Sequence, residues 1–384
     1  MKHSTLRLAL SLAALFVLAA APASAQMFFT GPPTGVRNLF PVLINTKWGY
    51  VDRSGKLVIE AKYIYAGEFS EGLAFVGRGP DTEGLEKAKP SGNSVAAPNG
   101  PKGLKWEVID ESDNVVAKLK PRRGYVNAFF SDGLAAFSGG RGLYGYMDKS
   151  GETVIKPRFD GASPFREGLA AVCLDTMKCG LIDSTGKYVV RPVYMGTRPP
   201  SDGRAMVVNR EGFMGYVDVS GEMVIAPQFA GLCGNGDFSE GLVSAAYPDT
   251  QCGFINKLGH FVIAQQFDYA GEFSDGLAPV KVDGKVGYVD REGVLVIEPQ
   301  FCEVHGFSEG LAVAATCGYG PDSTEETTFY ETFRRGFIDK TGKFVIEPQR
   351  VGPESFRGGL ALVRTAGGLG YIDREGNFVW KPSQ

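Results

Sequence analysis

Histidine is scarce, with three in 384 residues. His3 lies in the leading apolar segment, which leaves His260 and His305. Neither stands beside an obvious nucleophile in the sequence, and each reads as a surface or packing residue. No CxxC or HxxxH spacing occurs, so the pattern of a zinc site is missing. Carboxylates paired at short spacing are also lacking, which removes the usual signs of a calcium loop or an acid–base pair. Basic clusters are absent too. The formal net charge is −3, and a protein that neutralises phosphates needs grouped Lys and Arg, so nucleic acid is excluded as a partner. No segment has helical periodicity of useful length. Beyond the first 25 residues, no apolar run approaches the ~20 residues of a membrane span, so no transmembrane anchor is expected. No cofactor is implied.

The leading residues carry an address. Lys2 and Arg7 precede an apolar run from Leu8 to Ala20, and Ala23-Ser24-Ala25 supplies small residues at the expected cleavage site. Residues 1–25 therefore read as a secretory signal, with a mature start at Gln26. The expected product is exported, periplasmic or secreted. Residues 26–38 form a lead-in, and 39–384 form a single β array.

That array rests on internal repetition, which takes precedence over any element-by-element reading. KVGYVDREGVLVIEPQF (285–301) and YGYMDKSGETVIKPRF (144–159) are two copies, followed by GFSEGLAVA (306–314) and PFREGLAAV (164–172). A turn Asp recurs at Asp52, Asp110, Asp148, Asp183, Asp218, Asp290, Asp339 and Asp373, with Asn256 in the ninth place. Gly follows three residues later in every copy but the second, which has Asp113-Asn114 there. D-x-x-G between apolar runs is hairpin chemistry: the Asp caps a type I turn and the Gly takes the positive φ after it. Each copy thus supplies a Gly-Tyr strand, a Val-Ile strand and a Leu-Ala strand, the last introduced by Phe-Ser-Glu-Gly. Apolar pairs such as Val58-Ile59 and Val154-Ile155 suggest strands covered on both faces. The small residue of the Leu-Ala strand (Ala74, Ala170, Ala278) marks close approach of a neighbouring unit.

The pattern K-x-G-Y-[IV]-D-x-x-G-x-x-V-I-x-P-x-F…F-x-E-G-L-A-x-V resembles the bacterial WG-repeat family over about residues 39–380. Only Trp48 and Trp106 hold the name-giving position. Tyr144, Cys179, Met214, Cys252, Val286, Arg335 and Leu369 replace it elsewhere. The resemblance implies an interaction role and brings no catalytic residue set. The fold class expected is all-β: a tandem repeat of nine three-stranded units in an open superhelical or solenoid array. A propeller-like ring is the alternative. Spacing of mostly 34–38 residues favours the open form, since propeller blades take 40–45.

Two insertions, 77–103 and 318–333, fall at one repeat position and so project from one side of the array. That side is often the binding side. Six cysteines suit an oxidising compartment. Repeat equivalence of Cys233 with Cys302, and of Cys252 with Cys317, points to Cys233–Cys252 and Cys302–Cys317. Cys173 and Cys179 flank a short hairpin loop and form the third pair. Gly306-Phe307-Ser308-Glu309-Gly310 matches a nucleophile elbow, yet the same turn recurs at Ser70, Ser239 and Ser274 without a strand-to-helix context. Gly140 to Gly145 matches G-x-G-x-x-G but precedes no helix. The chain is therefore expected to be a non-catalytic scaffold for a protein partner. The alternative is a module for cell-wall or surface glycan, through Trp48, Trp106, Tyr319 and Tyr330. A hydrolase comes third.

Overall fold

A computed structural model describes residues 38–79, 104–119, 128–139, 142–175, 177–230, 233–316, 334–349, 352–365 and 368–381. The described residues contain strands and turns and no helix. Every sheet pairing is antiparallel and follows chain order, so the fold is a succession of meanders. Nine Gly-Tyr strands each form the centre of one unit: Lys47–Val51, Lys105–Asp110, Tyr144–Asp148, Cys179–Asp183, Met214–Val217, Cys252–Asn256, Lys285–Val289, Arg335–Ile338 and Gly368–Ile372. We number the units one to nine in that order. In each, the Leu-Ala strand lies on one side of the centre and the Val-Ile strand on the other.

The turn chemistry is as the sequence predicts. Asp52 Oδ1 accepts hydrogen bonds from the Ser54 and Lys56 amides at 2.8 and 3.1 Å, and Gly55 sits at φ 81°. The second unit keeps the same geometry with Asp113 at φ 66° in the glycine's place. Its carboxylate is used there, accepting from the Lys62 ammonium and the Tyr63 hydroxyl of unit one.

The glycine of the Gly-Tyr strand answers a different need. The Val-Ile strand carries a bulge opposite it, between Ile155 and Phe159 in unit three. This bulge brings main chain directly over the glycine. A Cβ on Gly145 would lie 2.4 Å from the Ile155 carbonyl oxygen, and one on Gly253 would lie 2.5 Å from that of Ile263. Unit two has Glu107 at this position, and its Val-Ile strand (Val115–Lys118) is correspondingly short.

Two expectations about the units change. The first is the count of three strands. After the bulge in units one, three, four, six and eight, the chain runs on toward the next sheet, where two residues pair with the Leu-Ala strand of the following unit. Gly161–Ala162 pairs with Leu169–Cys173 in this way, and Gly196–Thr197 with Ala205–Val208. At Leu295–Val304 the passage is unbroken, and the sheets of units seven and eight join into one of seven strands. The second is burial of the Val-Ile pair on both faces. Ile59, Ile155 and Ile263 are buried, whereas Val58, Val154 and Val262 are exposed. The bulge, rather than a second covering layer, disrupts the alternation.

Apolar side chains between successive units form nine separate clusters. Eight join units in chain order. The ninth joins unit nine to unit one through Phe40, Val42, Val51, Leu360 and Tyr371. Phe40 and Tyr371 meet edge to face at 5.3 Å, and the Tyr371 hydroxyl donates to the Pro41 carbonyl at 3.2 Å. The turn Gly55 also abuts Val379 as Gly186 abuts Ile155. The open array is thus corrected to a closed ring whose ends meet. Burying the two terminal apolar faces against each other leaves neither exposed to water.

The central residue alternates between tyrosine and a side chain without a hydroxyl. Tyr50, Tyr146, Tyr216, Tyr288 and Tyr371 occupy the odd units, while Val108, Leu181, Phe254 and Phe337 occupy the even ones. Each of the first four tyrosines donates its hydroxyl to a carbonyl of the next unit: Gly67, Ser163, Gly236 and His305, at 2.7–3.1 Å.

Candidate interaction site

The Phe-Ser-Glu-Gly turns converge and link one unit to the next. Ser131 Oγ donates to the Phe165 carbonyl at 2.5 Å, and Ser70, Ser239, Ser274 and Ser308 make the same bond to Phe130, Phe273, Phe307 and Phe356. The acid that follows reaches the same neighbouring turn. Asp132 accepts from the Gly168 amide at 2.7 Å, Asp275 from Gly310 at 2.7 Å, and Glu309 from Gly358 and Gly359 at 2.6 and 2.9 Å. These acids adopt positive φ, 51° at Asp132 and 54° at Glu309. For a residue with a Cβ this conformation costs about 1–2 kcal/mol, which charge-assisted bonds to the next unit offset. Ser308, the residue of the elbow-like motif, is one rung of this ladder.

In unit four Arg166 replaces the serine; it donates to the Pro199 carbonyl at 3.3 Å while Glu167 accepts from the Asp202 and Gly203 amides, so the ladder continues and a charge cluster is added to it. Arg166 Nη2 lies 2.8 Å from Asp237 Oδ2, and Arg198 Nε lies 2.8 Å from Asp237 Oδ1. Asp237 is buried. Burial, with the Asp237 charge beside it, raises the Glu272 carboxyl above the ordinary carboxylate range. The four residues come from units four, five, six and seven, so one charge cluster around the buried Asp237 spans four consecutive units. The sequence did not reveal it, because the four residues are scattered over more than a hundred positions and none carries a sign that the others lie beside it.

The residues singled out from the sequence are dispersed. Trp106 is 5% exposed and packs edge to face on Tyr65 at 5.1 Å. It is a core residue and presents no ring face to a sugar, which corrects its assignment as a binding aromatic. Trp48 is half-buried against the cluster between units one and two. Tyr319 and Tyr330 lie outside the described residues. His260 is exposed, and its amide donates to the turn Asn256. His305 Nε2 stands 3.9 Å from Glu303, which is itself bound by Arg335 at 2.7 Å. Partial burial lowers the imidazole's affinity for a proton.

Cys173 is bridged to Cys179, and Cys233 to Cys252. Cys317 lies outside the described residues, so the Cys302–Cys317 pairing is not described. Among the described residues no three His, Cys, Asp or Glu side chains are grouped to hold a metal ion, and no helix is long and apolar enough to cross a membrane. A cavity of about 20 Å³ lies near the seam, lined by Phe40, Glu68, Arg357 and Tyr371 among others. It has room for about one water molecule.

The insertions leave from equivalent places. Arg78 pairs with Lys105 at the base of the first, and Ala315 with Arg335 at the base of the second. Gly77 and Arg78 still belong to the strand Leu73–Arg78, so the first insertion begins later than its sequence boundary. Residues 80–103 and 317–333 lie outside the described residues. The signal segment 1–25 and most of the lead-in do as well.

Short antiparallel sheets, each stapled to the next by a turn ladder, define a propeller-like β-repeat protein. The WG containing repeat matches residues 48–79, 144–175, 180–211, 214–245, 253–285, 287–315 and 336–368, more than half of the chain. The chain belongs to the WG containing repeat family. No curated protein matches it. Among solved structures it is similar to the computationally designed Ika8 protein, at 14% identity and a TM-score of 0.42, over 67% of this chain and 87% of that one. It is also similar to BamB from Moraxella catarrhalis, at 13% identity and 0.38, over 73% and 94%. The WD40 beta propeller domain of Doa1 matches at 12% identity and 0.28, over 75% and 92%.

Proposed function

We propose that this chain is an exported, non-catalytic scaffold that binds a protein partner on the rim carrying its two insertions. The observation that carries this reading is where the insertions start. Both leave from the hairpin between the Leu-Ala and Gly-Tyr strands, in units two and eight. In an open array these units would stand six steps apart. The contact between units nine and one reduces that to three steps, and both insertions leave from the same end of their units. Surface loops carried on a rigid scaffold are where binding residues concentrate. The polar groups that resembled chemistry, Ser308 and the turn acids, are engaged in holding units together. The two bridges suit an oxidising compartment, in keeping with export.

The test is capture of partners from a periplasmic or secreted extract by purified mature protein, beside forms lacking 80–103 or 317–333. Loss of captured protein from both deletions, with an unchanged far-ultraviolet spectrum, supports the reading. Sugar binding on a glycan array that survives both deletions and disappears with Trp48→Ala replaces it with the glycan reading.

A further inference from the structure

The repeat acts as its own control where a Val-Ile strand leads into the next Phe-Ser-Glu-Gly turn. Five residues separate Phe159 from Phe165, Phe267 from Phe273 and Phe301 from Phe307, as they do Tyr63 from Phe69. Eight separate Phe229 from Phe238, so the link into unit six carries three extra residues. The links into units four, five and seven each supply a two-residue strand. The described residues of this one make a single bridge, Ala230 to Ala246, and are fastened by the Cys233–Cys252 disulfide.

Asn235 lies in this longer link, exposed, between Gly234 and Gly236 at φ 75° and 81°. Gly236 is fixed by packing as well as by its backbone angle, since a Cβ there would lie 2.6 Å from the Met206 sulfur. With no side chain in the way, a glycine nitrogen can approach the side-chain carbonyl carbon of an asparagine before it. The Gly236 amide donates no hydrogen bond among the described residues, so none holds its nitrogen away. Every other asparagine of the described residues precedes a residue with a side chain: Leu39, Thr46, Val115, Arg210, Lys257 or Phe378. Asn209 and Asn256 also have their side-chain oxygens engaged, by the Phe213 amide at 2.8 Å and the Leu258 amide at 3.0 Å.

We propose that Asn235 is a site of spontaneous deamidation in the folded protein. The Gly236 nitrogen forms a bond to Asn235 Cγ, the Cγ–Nδ2 bond breaks, and ammonia leaves with the proton of the Gly236 amide. Water then adds to either carbonyl of the cyclic imide and opens the ring, leaving aspartate or isoaspartate. No redox change occurs, and water is the co-reactant.

The new carboxylate arises at the edge of the charge cluster. Arg166 and Arg198 are both bound to Asp237. The Asn235 side chain faces Glu272 and, as a neutral amide, favours its ionised form. A carboxylate in that place sets like charge against Glu272 instead. Isoaspartate also adds an atom to the main chain, in a link where a Cβ on Gly234 would already lie 2.6 Å from the Ala270 carbonyl oxygen of the following link. Either product loosens the hold of unit six on unit seven.

Folded mature protein incubated at mildly alkaline pH tests the proposal, with reduced peptide maps and urea midpoints taken at intervals. Asn99-Gly100, outside the described residues, is the internal reference for the chemistry. Acid should appear at Asn235 as well as Asn99, ahead of Asn209 and Asn256, and the midpoint should fall as Asn235 converts. Asn235→Asp should show the lowered midpoint from the start. Asn235→Gln, whose side chain is one carbon too long for the five-membered ring, should hold its starting midpoint throughout. An Asn235 that stays intact while Asn99 converts overturns the proposal, as does conversion seen only in urea-unfolded protein. A parent-like midpoint for Asn235→Asp overturns the effect assigned to the cluster.

Discussion

At the scale of single residues, the two kinds of glycine differ in what they require. At Gly276 (φ 84°) a Cβ would meet nothing within 4 Å, so alanine is strained only through its backbone. At Gly253 it would meet the Ile263 carbonyl oxygen at 2.5 Å. Gly276→Ala is expected to cost about 1–2 kcal/mol. Gly253→Ala should cost at least about 3 kcal/mol, near the upper end for single substitutions, and urea titrations of both variants rank them. The first role was legible in the sequence, because Gly276 ends a Phe-Ser-Asp-Gly turn that recurs along the chain. The second was not, because the close approach arises from a bulge in another strand. Glu272 gives a test in pH. Its carboxyl is raised by burial and by Asp237, so its contribution is fully present below the unfolded value of ~4.3 and is lost as pH rises through the folded value. Glu272→Gln should therefore be more stable than the parent at pH 7, with the difference closing toward pH 4. Urea midpoints at the two pH values measure it.

At the scale of elements, the turn ladder is a set of similar bonds made by one short motif to its next copy. Ser131→Ala removes the 2.5 Å bond to Phe165 and leaves a buried carbonyl without that partner. The expected loss is about 1–3 kcal/mol, read as a shift in urea midpoint with unchanged slope. Strands and hairpins were legible because apolar runs and turn residues lie within one copy. The ladder was hidden, since a serine between Phe and Glu carries no sign that its acceptor lies in another turn. The passing of a Val-Ile strand into the following sheet was hidden for the same reason. Trp106 was misjudged because an aromatic at a repeat position shows its size in the sequence and not which way it faces.

At the scale of the whole molecule, closure depends on the small rotation each unit adds to the last, which no single residue encodes. Phe40 and Tyr371 are ordinary strand residues until the ends are brought together. A permuted chain that begins at Leu104, ends at Gly79 and joins the present termini should give the same β spectrum and melt within a few degrees of the parent. Circular dichroism with thermal melting checks this, and an array with separated ends would not survive the change. Closure also bears on the alternation of tyrosine-centred and apolar-centred units. A pattern of period two cannot return to its start over an odd number of steps, so two tyrosine-centred units, nine and one, must be neighbours. Loss of unit nine or unit one, or gain of an apolar-centred unit between them, would give eight or ten units in which the alternation has no fault. Gain of a pair would keep the fault.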